Sequence, residues 1–368
     1  MSLTPYLTAW RTTPLHDREV VDALVDPAHA APSPELAAAL REWPGTYYWS
    51  DEPDGRHLVL TRPAAAPARA KEAWAIHGVL FAAALFTTTL SGAVIAGALP
   101  ADFGALFHPG AWRTAGFLRA WATGFQFSLP LLAILLCHEL GHYLTARRYQ
   151  LDVSPPYFLP GAPAPWGIGT FGAFIRLRTI LTDRRQLLDV GAAGPIAGFV
   201  VAVPVLFIGL TLSHPFTEDG VRGMLVPWGG PLLPLGDSVV TLLLRHFAMP
   251  EATAVLLHPV AFAGWLGMFV TMLNLLPIAQ LDGGHILYAA LPRLHRRLAR
   301  AFWVGIMLLG WFWVGWLFWG FVLLVMSRGQ LGHPPVLDAY RPLPPARRWL
   351  VWASLALFLL TFAPAPFQ

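Results

Sequence analysis

The stretch His138-Glu139-Leu140-Gly141-His142 puts two imidazoles and a carboxylate within about one helical turn. Residues i and i+4 of a helix lie one above the other on the same face, so His138 and His142 can hold one metal ion between them. Glu139 sits roughly 100° round from His138, where it can polarise a water without ligating the ion. Two imidazole ligands and a general base are the donor pattern of a metal-dependent hydrolase. The competing reading is a polar helix end at a membrane surface. Against it stands the preceding run Leu131-Leu132-Ala133-Ile134-Leu135-Leu136: ionisable groups in such a segment are costly, and a bound cation offsets the cost. A catalytic ion needs three protein ligands and an open position. Asp282, in Leu281-Asp282-Gly283-Gly284-His285, is the candidate third ligand, because it also closely follows an apolar stretch. Alone, Asp-Gly-Gly reads as a turn; beside the two histidines the ligand reading prevails.

The elements that must position these groups are apolar. The chain has 368 residues, 55% hydrophobic and 12% charged, with a mean hydropathy of +0.53. A soluble chain carries about 25% charged residues, so the composition points to an all-α polytopic membrane protein. Apolar runs at about 75–99, 125–146, 190–212, 255–277, 301–326 and 349–363 suggest six transmembrane helices, each judged against a bilayer core of ~30 Å. Gly310 and the tryptophans around it leave the fifth run as either one tilted span or a hairpin of two half-helices. Residues 238–248, broken by Arg245 and His246, read as interfacial or extramembrane. The net charge is +4, but the arginines flank apolar runs, so topology explains them and nucleic acid is not an expected partner. Arg69 and Lys71, Arg147 and Arg148, Arg176 to Arg185, and Arg293 to Arg300 all fall on one side, which makes that side, the N-terminus and the active site cytoplasmic. Arg328, Arg341, Arg347 and Arg348 join them only if the fifth run folds back.

Residues 1–72 form an N-terminal soluble or membrane-surface segment without the pattern of a signal peptide. It holds a short helix over 34–43, capped by Ser33 with Pro34 in the first turn, and a hairpin of 46–50 and 57–61 about Asp54-Gly55. An Ala/Pro-rich linker follows from Pro63 to Ala70. Residues 73–300 are the expected membrane-embedded core and 301–368 the C-terminal membrane segments. The single cysteine, Cys137, excludes an intramolecular disulfide and a cysteine-based zinc cluster. His258 lies 24 residues before Asp282, about 36 Å along a continuous helix, and so is no ligand. His285 reads as a support for Asp282 or as an ordinary helix-start residue.

Taken together, His-Glu-Leu-Gly-His at 138–142, Leu-Asp-Gly-Gly at 281–284, Asn274 with Pro277, and Gly194-Pro195-Ile196-Ala197-Gly198 resemble the site-2 protease family of intramembrane metalloproteases. The resemblance covers about 125–290. It implies a Zn2+ ion on His138, His142 and Asp282, Glu139 as catalytic base, and cleavage of transmembrane protein substrates within the lipid bilayer. It also implies a substrate-contacting or oxyanion role for Asn274, whose plainer alternative is a hydrogen bond between helices. A helical substrate must unwind before its carbonyls are reachable. The Gly-rich stretch Gly169, Thr170, Phe171 and Gly172 reads either as a β element dipping toward the site, clamping substrate by strand addition, or as a surface hairpin. Two other functions suit the same residues: a metal-ion transporter, in which Glu139 would itself be a ligand, and a non-catalytic regulatory protein of the same fold.

Overall fold

The turn signal at Asp54-Gly55 is where the chain reverses. In a computed structural model, Tyr47–Glu52 (β3) and Gly55–Pro63 (β4) pair antiparallel, from Tyr47 opposite Leu60 to Glu52 opposite Gly55. The structure describes residues 3–14, 18–29, 33–63, 72–102, 115–179, 181, 183–218, 220–334, 336 and 342–367. The expected linker over 64–70, with Arg69, Lys71 and Arg341, lies outside them. The chain divides into two units, Met1–Lys71 and Glu72–Gln368.

In the first unit two further strands, Leu7–Pro14 (β1) and Arg18–Val25 (β2), complete an antiparallel sheet in the order β1-β2-β4-β3. Val21, Ala23 and Val25 alternate inward, the period-2 signature of a half-buried strand. They pack with Leu58 and Leu60 against Leu36 and Leu40 of Pro34–Arg41 (α1). That helix begins as its sequence dictates, with the Ser33 hydroxyl accepting from the Leu36 N–H. His57 ties the sheet to its turn. One ring nitrogen lies 2.8 Å from the Asp22 carboxylate and the other 3.2 Å from that of Asp54. The hydrogen bond to Asp22, with the charges of both carboxylates, raises the imidazole pKa above its ordinary value.

The second unit is built on helices. Among the described residues three are long and apolar enough to cross a membrane: Trp74–Ile95 (α2), Gly116–Arg148, which joins Ala115–Thr123 (α3) to Phe125–Arg148 (α4), and Arg184–Thr211 (α5). The other expected spans are shorter. The fourth run opens as a strand, Ala254–Leu256, and becomes the helix Pro259–Asn274 (α7) only after His258, whose ring caps it. Its 16 residues extend about 24 Å. The fifth run is two helices, His295–Leu309 (α9) and Gly315–Met326 (α10). They fold back on each other, with the Trp303 indole donating to the Gly320 carbonyl at 2.9 Å. The sixth is Arg348–Thr361 (α11).

About half of the described residues are helical, so the all-α expectation describes the apolar core but not the whole. Tyr157–Pro160 (β5) and Thr170–Phe174 (β6) form a two-stranded antiparallel sheet. His214–Phe216 (β7), Gly223–Pro227 (β8), Leu232–Leu235 (β9) and Ala254–Leu256 (β10) form a four-stranded one in the order β7-β10-β8-β9. Val239–Ala248 (α6) follows it, opened by a Ser238/Thr241 capping box. The sequence reading missed this sheet because its strands are only three to five residues long, too short for periodicity to register.

The His57 contacts define a pH dependence for the first unit. A raised folded pKa contributes stability that is complete below about pH 6.5 and is lost as pH rises through the folded value. Amide exchange in β2 and β4 of the full chain is therefore expected to quicken between pH 6 and pH 9 beyond the intrinsic base catalysis. His57→Gln should remove that excess, and an excess unchanged in the variant would count against the contact.

Candidate metal centre

His138 and His142 lie on the inward face of α4, buried against α5. Two large rings cannot fit between close-packed helices unless the facing helix gives up volume. On α5 it does so at Gly194 and Gly198. A Cβ on Gly194 would lie 2.0 Å from His142 Nε2, and one on Gly198 would lie 3.2 Å from His138 Nδ1. Gly141 makes the reciprocal concession, since its Cβ would meet the Ala193 carbonyl oxygen at 2.4 Å. The spacing of four on α4 is thus matched by a spacing of four on α5.

Asp282 arrives from the other side. After α7 ends at Asn274 the chain turns sharply through Ala279, whose φ is +50°, and starts a new helix, Asp282–Ala290 (α8). The two glycines after Asp282 are what permit the turn. A Cβ on Gly283 would fall 2.0 Å from the Leu275 carbonyl oxygen, and one on Gly284 would fall 2.4 Å from that of Ala279. The Ala279 N–H is taken by the Leu331 carbonyl at 2.9 Å, fastening the turn to the chain after α10.

These constraints bring three ligand atoms together. His138 Nε2 and His142 Nε2 each lie 3.3 Å from Asp282 Oδ2, and 3.1 Å from each other. Donors on a tetrahedral zinc at bond lengths of about 2.0–2.1 Å stand about 3.3 Å apart, so the trio fits such an ion. The His142 Nδ1–H donates to the Val190 carbonyl at 2.7 Å, which fixes the tautomer and leaves the Nε2 lone pair able to take a metal. Two imidazoles with one carboxylate also match the donor preferences of zinc. Glu52, Asp54 and His57 form a second group close enough for a cation, but the carboxylates of Asp22 and Asp54 already occupy both nitrogens of that ring.

A pocket of about 610 Å³ opens on the trio. Glu139, buried on α4, lines it and faces the backbone N–H of Ile175 just beyond β6. The Asn274 amide nitrogen lies 3.2 Å from His138 Nε2, so the end of α7 reaches the site. The Gly169–Gly172 stretch does not line the pocket, whose wall is formed by Ala173, Phe174 and Ile175. Gly169 and Thr170 instead hold the β element in place. The Thr87 hydroxyl donates to the Gly169 carbonyl at 2.6 Å, and the Thr170 hydroxyl donates to that of Leu159 at 2.7 Å. Phe171 is 80% exposed, and Gly172 adopts φ +100°. Stacking of His77 on Tyr157 and of Tyr157 on Phe174 seats the strands against α2. Arg178 grips Glu72 through both guanidinium nitrogens, at 2.6 and 3.1 Å, and holds that carboxyl below its usual pKa. Among the described residues β6 pairs only with β5, leaving its second edge without a strand.

Sequence reasoning did not find His333. Its ring lies 2.7 Å from His285 Nδ1 and stacks on Tyr288, and both histidines line the pocket. No local pattern marks a residue brought in by the chain after α10. His258 caps the far end of α7, and Cys137 is half-buried.

Residues 126–313 match the model of peptidase family M50. The chain is 34% identical over 249 residues to the probable zinc metalloprotease EGY1, chloroplastic, of Arabidopsis thaliana, covering 64% of this chain and 43% of that protein. It is 39% identical over 162 residues to the EGY1 protein of Oryza sativa subsp. japonica, 44% of this chain and 27% of that one. It is 33% identical over 166 residues to EGY2 of Arabidopsis thaliana, 45% and 28%. The chain therefore spans less than half the length of these curated relatives. No solved structure matches it.

The glycine clearances separate two substitutions. Gly194→Ala drives a methyl into the His142 ring and is expected to weaken zinc affinity about tenfold or more, the lower range for disturbing a ligand's support. Gly198→Ala asks His138 to give only a few tenths of an ångström and should cost less. Competition titration with a chelator reads both, and parental affinity in Gly194→Ala would contradict the packing argument.

Proposed function

The chain belongs to peptidase family M50, and from that membership we propose that it is an intramembrane zinc endopeptidase that cleaves transmembrane segments of other membrane proteins. The observation that carries the reading is the convergence of His138, His142 and Asp282 in one pocket with Glu139 beside them. The zinc metalloproteases among its relatives support the choice of ion. The three long apolar helices support a membrane setting.

Zinc bound there would supply Lewis-acid chemistry, acidifying a water and polarising the scissile carbonyl. The protein's residues do the rest. Glu139 takes the proton of the attacking water and passes it to the leaving amine. Asn274, whose amide nitrogen lies 3.2 Å from His138 Nε2, takes the role of donor to the carbonyl oxygen as that oxygen gains charge. Substrate reaches these groups unwound: the free edge of β6 offers backbone donors and acceptors to an extended strand, and Ile175, next along, keeps its N–H on Glu139.

The fold-back of α9 and α10 also bears on orientation. It returns Arg328, Arg347 and Arg348 to the side marked by Arg293, Arg296, Arg297 and Arg300. Under the positive-inside rule that side, which carries the metal pocket, is cytoplasmic.

Two substitutions test the assignment on a panel of single-span membrane proteins. Glu139→Gln is expected to retain zinc and cut turnover by about a hundredfold or more. Asn274→Ala should lower kcat by a similar factor with less effect on KM. Parental turnover in a zinc-loaded Glu139→Gln protein would remove the base, and metal flux in vesicles without cleavage would favour transport.

A further inference from the structure

The face of α8 that turns away from the metal borders a second cavity, of about 670 Å³. Gly283 and Ile286 of α8 form one wall, and Val351, Leu355 and Phe358 of α11 form the other. The α11 residues recur at the spacing of a single helix face, so the cavity is a groove running along that helix. Its lining is apolar except for Ser354 and for one end. There Arg184 opens α5 and Arg348 opens α11, and the neighbouring Arg347 is paired with Asp189 at 3.0 Å, which brings the two helix starts together. Among the described residues no carboxylate lines the groove. Phe358 lies ten residues past Arg348, about 15 Å deeper.

A second observation comes from Ser354. It borders the groove, is only 3% exposed, and its hydroxyl has no hydrogen-bond partner among the described residues. A hydroxyl left unpaired in apolar surroundings is expensive, and rotation of the side chain toward an acceptor in the groove would relieve that cost. Trp349 and Trp352 stand 59% and 68% exposed at the arginine end, where aromatic side chains mark the level of lipid headgroups.

We propose that this groove binds one anionic phospholipid. The phosphate lies on Arg184 and Arg348, an ester carbonyl accepts from the Ser354 hydroxyl, and an acyl chain runs between α8 and α11 toward Phe358. The groove is too small for a substrate helix: one about 10 Å across and 30 Å long displaces more than about 2,000 Å³. Because Gly283 follows Asp282 directly, the lipid supports the helix carrying the third metal ligand from behind. The proposal rests on the membrane setting of the peptidase reading but not on its chemistry.

Native mass spectrometry of the full chain, moved from nanodiscs of phosphatidylcholine with phosphatidylglycerol into neutral detergent, reads lipid retention independently of peptidase activity. Phosphatidylglycerol is expected to be retained about fivefold or more over phosphatidylcholine, the double variant Arg184→Gln/Arg348→Gln to lose that preference, and Leu355→Trp to exclude both lipids. Bound zinc and a parental melting temperature establish that the variants are folded. Equal retention of the two lipids, or an unchanged preference in the arginine variant, would overturn the proposal. Release of the lipid by millimolar inorganic phosphate would also overturn it, by reducing the site to a free-anion pocket. A photoreactive residue at Leu355 should capture lipid; capture of a single-span substrate instead would reassign the groove to substrate docking. Loss of peptidase activity with lipid still bound would count against the chemistry and leave the lipid site standing.

Discussion

Two imidazole rings one helical turn apart have to be buried between α4 and α5, and the helix facing them can carry no side chain where they lie. That steric condition organises much of the second unit. It demands Gly194 and Gly198 at a matching interval, and Gly141 opposite Ala193, so that the backbones approach closely enough to hold both rings at fixed orientation. The close approach in turn puts the Val190 carbonyl within 2.7 Å of His142 Nδ1, which sets the tautomer. A looser pair of helices would leave room for side chains on α5 but would let the rings rotate, and ligand atoms that rotate do not hold a tetrahedral ion.

The same economy governs Asp282. A half-buried carboxylate among apolar helices is costly unless paired, and here Asp282 faces two imidazole nitrogens. Gly283 and Gly284 let α8 start within the space left by the end of α7. The candidate metal ligands thus sit on helices, while the residue facing Glu139 belongs to the chain just past a β element. Stacking of His77, Tyr157 and Phe174, with the Thr87 and Arg178 contacts, covers that element on one side, and among the described residues the second edge of β6 has no partner strand.

Short helices complete the apolar assembly where full spans were expected. Pro259 starts α7 late because proline favours a first helical turn. The chain between Leu309 and Gly315 reverses where Gly310 packs against Leu317, in place of a continuous rod. Such breaks are visible in the sequence as Pro and Gly, but their direction is not: a kink, a tilt and a reversal share the same local signal.

What the sequence determined by itself was chemistry tied to local spacing. The i, i+4 histidines, the adjacent glutamate, the Ser33 cap, the Asp54-Gly55 reversal and the long apolar helices all follow from periods of 3.6 or 2 and from side-chain type, because those rules act within a few residues. Only the tertiary structure decided what depends on distant segments meeting. It alone gave Gly194 and Gly198 their role as clearance for rings on another helix, set Ala173 to Ile175 at the pocket wall in place of Gly169 to Gly172, folded α9 against α10, and brought His333 beside His285. These outcomes turn on packing between elements far apart in the chain, where a residue's neighbours, not its type, determine what it does.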